Sequence, residues 1–354
     1  MKPRRRRFFW LLAALVLLVL AALVKRACSG PEASSRPPPE FPRSMRPAES
    51  QRMTEREVLP PGPRPGRHRD PVLSAVSAPD AGTALVFEAS ALRHSPVGQL
   101  LLDCLTSTAG QDGGESPLDD IRRLGVDPLQ DLDRVAVGDD TVVVSGDFSR
   151  VQWDSAFGAA SVEQYGDTGQ IRSFGTQQDG GASPVLATWG NQLVLIAPTQ
   201  EAARATLDRI EGRSPTGQLL GDNQAYGDVY GVLSGAALGQ MLGPADSPLA
   251  AQFEGAARSV ELHLDATRDV ELVATVSGDD PAQLGDLGRA LGGGLAAARA
   301  RAVLTGDTSA AELLEYAQVV PGSEKFRLEM AVPFEVLKSM LAFCGGRPQF
   351  DAGR

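Results

Sequence analysis

The sequence predicts an α+β protein: one N-terminal transmembrane helix, a proline-rich stalk, and two tandem β-α-β-β-α type modules with antiparallel sheets. Three observations carry this prediction. Residues 8–24 form an uncharged apolar run, residues 25–71 are dense in proline and arginine, and from Thr83 onward short β-type runs joined by tight turns alternate with helical patterns.

Phe8 to Val24 reads FFWLLAALVLLVLAALV, seventeen residues without a charged or polar side chain. As a helix it measures about 25 Å, enough to span a bilayer when its flanks help. Lys25 and Arg26 can snorkel at one end, and Phe8, Phe9 and Trp10 supply aromatic anchors at the other. Five basic residues precede the run and two follow it closely, which keeps residues 1–7 in the cytoplasm as a basic tail. A cleaved signal peptide is the competing reading. It is opposed by Lys25 and Arg26, which stand where a cleavage site needs small residues. Ala27-Cys28 invites a lipoprotein reading, and the same two charges oppose it.

Ten prolines fall between Cys28 and Pro71, among Arg, Glu and Ser, with almost no apolar periodicity. Such a segment cannot bury a core, and it reads as a spacer reaching on the order of 40 Å as coil.

The first module, 72–214, opens with the strand TALVFEAS, followed by Ser95-Pro96 as a helix start and VGQLLLDCL as the helix. Ser116-Pro117 repeats the start signal, and Gly125 stops the helix it begins. Hairpins are predicted at Gly138-Asp139-Asp140, at Asp167-Thr168-Gly169 and at Gly190-Asn191. The helix TQEAARATLDRIEG closes the module, with Thr199 as cap and Gly212 as terminator.

The second module, 215–345, repeats this order, and 346–354 form a flexible tail. VYGVLSGAALGQML resembles ALVFEASALRHSPVGQLL as a strand turning through serine into a helix, Ser234 answering Ser90. SVELHLDATRDVELVATVSGD parallels RVAVGDDTVVVSGD, and Val144-Ser145-Gly146-Asp147 recurs letter for letter as Val276-Ser277-Gly278-Asp279. Asp280-Pro281 starts a long helix through Ala302, Thr308 to Val319 forms another, SEKFRLEMAV is a strand, and Pro333 begins the last helix. Hairpins between helices imply antiparallel sheets with helices on one face. Val260, Leu262 and Leu264 should then face the core, leaving Glu261, His263 and Asp265 on a wet face.

Charge narrows the partners. The chain carries a net −10, yet residues 71–354 alone hold 19 basic against 38 acidic side chains, or −19. A surface of that sign repels phosphate backbones and anionic headgroups, which argues against nucleic acid as a partner.

No motif for catalysis, cofactor or metal stands out. Of the three histidines, His68 lies in the stalk, His94 begins a helix, and His263 is separated from its strand neighbours Glu261 and Asp265 by the roughly 7 Å strand repeat. Asp167-Thr168-Gly169 matches the core of the aspartic-protease signature, but it has no second copy to share a proton with and reads as a turn. Gly292-Gly293-Gly294 falls inside a helix, where it fits no phosphate cradle and permits a bend or close packing. The aspartates at 119–120, 127–133 and 139–140 lack calcium-loop spacing. Cys104 and Cys344, near helix ends in corresponding parts of the modules, are a candidate disulfide, two buried thiols being the other reading.

Four lysines against thirty arginines, the anchor and the module pattern over 83–343 together resemble membrane-anchored extracytoplasmic proteins of GC-rich bacteria. The resemblance implies a single-pass protein of the cytoplasmic membrane and transfers no functional residues. The expectation is a non-catalytic envelope protein, a binding or scaffolding module whose stalk presents it to an envelope partner. The alternatives are an envelope hydrolase with a carboxylate acid/base pair and a small-ligand or lipid-binding protein.

Overall fold

The computed structural model describes residues 70–109, 122, 125–127, 130–153, 161–173, 185–217, 219–220, 224–242, 248–322 and 324–341. The basic tail, the anchor, nearly all of the stalk, the helix predicted after Ser116-Pro117 apart from Arg122, Cys344 and the C-terminal tail lie outside these residues. Among the described residues no helix is long and apolar enough to cross a membrane.

The protein is α+β with one large antiparallel sheet. In chain order the elements are α1 (Pro71–Val76), β1 (Ala84–Phe87), α2 (Ala89–His94), α3 (Pro96–Ala109), β2 (Leu132–Gly138), β3 (Val142–Gly146), β4 (Ser161–Tyr165), β5 (Gly169–Ser173), β6 (Val185–Trp189), β7 (Leu193–Ala197) and α4 (Gln200–Ile210). The second half continues with β8 (Val229–Ser234), α5 (Gly235–Leu242), α6 (Pro248–Ala256), β9 (Ser259–Asp265), β10 (Val270–Ser277), α7 (Pro281–Thr305), α8 (Thr308–Glu315), β11 (Ala317–Val320), β12 (Lys325–Val332) and α9 (Phe334–Met340). The twelve described strands run in the order β11-β12-β10-β9-β8-β1-β2-β3-β7-β6-β5-β4. The sheet is therefore continuous across the sequence boundary at 214/215, where β1 pairs with β8, Val86 opposite Tyr230.

Local chemistry accounts for the ends of these elements. Ser95 Oγ accepts from Gly98 N–H at 2.9 Å, and Thr199 Oγ1 accepts from Ala202 N–H at 3.2 Å. Asp280 Oδ1 accepts from Ala282 N–H at 2.8 Å, with Pro281 in the first turn of α7. Each such cap is worth about 1 kcal/mol. The hairpin glycines Gly166 and Gly190, and Gly212 after α4, have φ of 65°, 55° and 71°, the left-handed region glycine enters without strain. Ser234 caps α5, its Oγ accepting from Ala237 N–H at 3.1 Å. Ser90 instead lies inside α2, so the capping serine of the first half is Ser95. His94 closes α2 rather than beginning a helix. The helix expected from Thr308 to Val319 stops at Glu315, and Ala317–Val320 becomes strand β11 because it pairs with β12.

Helices cover both faces of the sheet, where one face was expected. On the first half, α1 and α4 pack Val72, Val76, Ala203 and Leu207 onto Val86, Val143, Leu195 and Ile171. On the second half, Phe253, Leu284 and Leu287 of α6 and α7 pack onto Leu233, Val260, Ala274 and Val276. Tyr230 and Val232 belong to the first cluster and Leu233 to the second, so successive side chains of β8 enter opposite layers. Strand β8 is the crossing point, and Val229 to Leu233 are all buried. That explains its near-continuous apolar sequence, the mark of a strand covered on both sides.

The repeated Val-Ser-Gly-Asp has a steric reason. A Cβ on Gly146 would lie 2.0 Å from the Asp131 carbonyl oxygen, and one on Gly278 would lie 2.2 Å from that of Ala256. Each glycine ends the second strand of a hairpin against the backbone entering the first. In both halves a strand, two helices and that hairpin follow in the same order.

Candidate functional site

Two regions gather polar or concave chemistry. The first is the strand face opposite α6 and α7, where the sequence placed His263 in solvent. His263 is instead fully buried, at 0% exposure. Tyr226, in the segment entering β8, lies flat on its ring, centroids 3.7 Å apart and planes 6° from parallel. The alternation along β9 is as expected, but a covering aromatic replaces water. Nδ1 of His263 lies 3.2 Å from the Tyr226 carbonyl oxygen and Nε2 lies 2.8 Å from Glu261 Oε1. A carbonyl only accepts, so Nδ1–H is the donor to Tyr226.

Alongside runs a chain of charge-assisted contacts between elements distant in sequence. Asp70 caps α1 through Oδ1, accepting from Val72 N–H at 2.9 Å, and its Oδ2 binds Arg134 of β2. Arg134 Nε donates to Glu88 Oε2 at 3.0 Å, and Tyr230 Oη donates to Glu88 Oε1 at 2.9 Å. Burial, then the Glu88 carboxylate, push the Tyr230 phenol far above its ordinary value, so it stays a donor. Asp228 is raised too, first by burial, and its Oδ2 accepts from Ala266 N–H at 2.7 Å. Glu271 is raised by burial and by Asp265, its partner across β9 and β10. Asp70, Glu88, Arg134 and Tyr230 fasten α1, β1, β2 and β8 together. Among the described residues no group of three or more His, Cys, Asp or Glu is placed to hold a metal ion.

The second region is a groove of about 330 Å³ between α7 and the turn joining β11 to β12. Leu284, Val319 and Phe326 form its walls, and Gly288, Gly292 and Gly293 its helical side. Arg289 and Lys325 flank it, and among the described residues no carboxylate, imidazole, thiol or hydroxyl side chain lines it. The sequence singled out Gly292-Gly293-Gly294 for close packing, but the packing falls on Gly288, whose Cβ would meet the Phe326 ring at 3.3 Å. A Cβ at Gly292 would come no nearer than 3.8 Å to Val319, and one at Gly293 or Gly294 would meet nothing within 4 Å. The helix runs unbroken through the triplet. A signal for this groove was present, since Gly285, Gly288 and Gly292 recur at helical spacing and share one face.

Of the remaining sequence candidates, Asp167 and Thr168 lie with Gly166 in the turn between β4 and β5, and Gly169 is the first residue of β5, paired with Tyr165. Asp139 Oδ2 accepts from Gly82 N–H at 2.7 Å, and Asp131 pairs with Arg150 at 2.6 Å. Cys104 belongs to α3, but its side chain and all of Cys344 lie outside the described residues, and with them the candidate disulfide.

No protein-family model matches the chain, and no curated protein matches it. A solved structure described as "Structure of crystal form I of TP0453" is similar with TM-score 0.41 and 12% identity, covering 77% of this chain and 97% of that one.

Proposed function

We propose that the chain is a non-catalytic envelope protein, a binding or scaffolding module. Residues 8–24 tether it to the cytoplasmic membrane, and the 25–71 stalk holds two tandem β-α-β-β-α modules, 72–214 and 215–345, outside the cytoplasm. The observation that supports the binding role is the α7 groove, a concavity of apolar walls and two cations with no carboxylate or imidazole among the described residues that line it. The part-buried groups Asp70, Arg134, Glu88 and Tyr230 are engaged with one another across the sheet.

Photo-crosslinking in intact cells, with a photoreactive residue at the groove rim, tests the role. A reproducible adduct with another envelope protein is expected, and its absence overturns the reading. N-terminal sequencing of the mature protein tests the tether, and a start beyond Arg26 removes it. The groove also favours a second reading, a small-ligand or lipid-binding protein, which titration with sodium decanoate would separate from the first.

A further inference from the structure

Resting on the binding-module reading, we infer that the α7 groove and the open side of β11 form one docking site for an extended acidic peptide segment carrying an apolar side chain. Strand β11 ends the sheet, with β12 on one side and no described strand on the other. Tyr316 O accepts from Ala331 N–H at 2.9 Å, so by the antiparallel alternation Gln318 and Val320 bond to β12. Ala317 and Val319 then face outward; the Ala317 carbonyl accepts from Arg299 Nη2 at 3.3 Å, which leaves the N–H and C=O of Val319 for an added strand to pair with.

The groove begins where that added strand would place a side chain. A residue opposite Val319 shares its face of the sheet, and Val319 is itself a wall of the groove. About 330 Å³ takes one or two apolar side chains. The open helical side is maintained against helix propensity. Each mid-helix glycine costs about 1 kcal/mol relative to alanine, and at Gly293 no neighbour forbids a side chain.

Charge chooses the partner. Residues 71–354 carry a net −19, yet among the described residues the charged side chains lining this groove are both cations, Arg289 and Lys325. Arg289 pairs with Asp286, but these side chains are 74% and 72% exposed, a weak pair that leaves Arg289 able to meet a second carboxylate. An acidic strand is attracted here and repelled over the rest of the surface.

The test uses the full chain in nanodiscs and two fluorescently labelled five-residue peptides with a central leucine, one flanked by glutamates and the other by lysines. The glutamate peptide is expected to bind saturably at about 0.1–1 mM, and the lysine peptide at least about tenfold more weakly. Gly293→Leu puts a side chain into the groove without a clash, so it should melt no lower than wild type and lose the glutamate peptide. Lys325→Glu should reverse the preference between peptides. Equal binding of the two peptides, no saturable binding, or undiminished binding by Gly293→Leu overturns the inference. So does displacement of the glutamate peptide by sodium decanoate at a tenth of the peptide's concentration, which would mark an amphiphile site. If crosslinks to an envelope partner persist in Gly293→Leu cells, the groove is the wrong site and the binding-module reading stands. If wild type gives no crosslinks either, that reading falls as well.

Discussion

The two halves of the sheet solve one burial problem on opposite sides. In the first half the covered face carries Val86, Val143, Leu195 and Ile171 under α1 and α4. In the second half the apolar side chains Val260, Ala274, Val276 and Phe326 point the other way, under α6 and α7. The face left without described helices in the second half carries Glu261, His263, Glu271 and Glu329; His263 bonds Glu261 and Gln318 donates to Glu329, while Glu271 stands opposite Asp265. Strand order and hairpin geometry can thus repeat while the covered face does not. What repeats is backbone sterics, and what differs is which residues of each strand are apolar.

The largest expected effect tests that shared backbone. Gly146→Ala and Gly278→Ala should each destabilise by about 3 kcal/mol or more, because the new Cβ must displace a carbonyl oxygen. Chemical denaturation followed by circular dichroism checks this, and tolerance of one substitution alone would break the equivalence of the hairpins.

Next come the polar fasteners, which differ between halves. Arg134→Met leaves Glu88 and Asp70 without their cation and should cost about 2 kcal/mol, the charge pairs being only partly shielded from water. His263→Leu should cost about 1–2 kcal/mol, since Glu261 then faces an apolar neighbour. A double-mutant cycle showing additivity would confirm that the two networks act independently.

A smaller effect is expected from pH. The Asp228 carboxyl is raised by burial, so the folded state holds its proton more tightly than the unfolded chain does. Its contribution is complete below the unfolded carboxyl range and is lost as pH rises through the folded value. Relative to Asp228→Asn, which can still accept from Ala266, wild type should lose stability from about pH 4 upward. Parallel denaturation midpoints for the two proteins across that range would sink this account.

The smallest effect lies at the far end of α7, where Val303 and Leu304 are 65% and 86% exposed. Leu304→Gln should change stability by less than about 0.5 kcal/mol, and a larger loss would mean that this end is covered after all.

Much of the fold was legible because its signals are local. Ser95, Thr199 and Asp280 act within three residues of themselves, the hairpin turns at Gly138, Asp167 and Gly190 are fixed by short-range geometry, and Val-Ser-Gly-Asp marks two equivalent backbone contacts. The burial of His263 was not legible, because its cover, Tyr226, comes from the segment entering a neighbouring strand. The groove was half legible. Its glycines show in the sequence, but the strand edge and the two cations meet them only once α7 crosses β11 and β12.

By itself, then, the sequence determined the α+β class, the antiparallel hairpins, the capped helices and the repeated order, since each depends on residues within a turn or a hairpin of one another. Only the tertiary structure decided that the strands join into one sheet, that helices cover its two halves on opposite faces, and that a cationic apolar groove opens beside its last strand. Those outcomes depend on side chains brought together from distant parts of the chain, and the pairing of β1 with β8, about 145 residues apart, is what brings the two halves side by side.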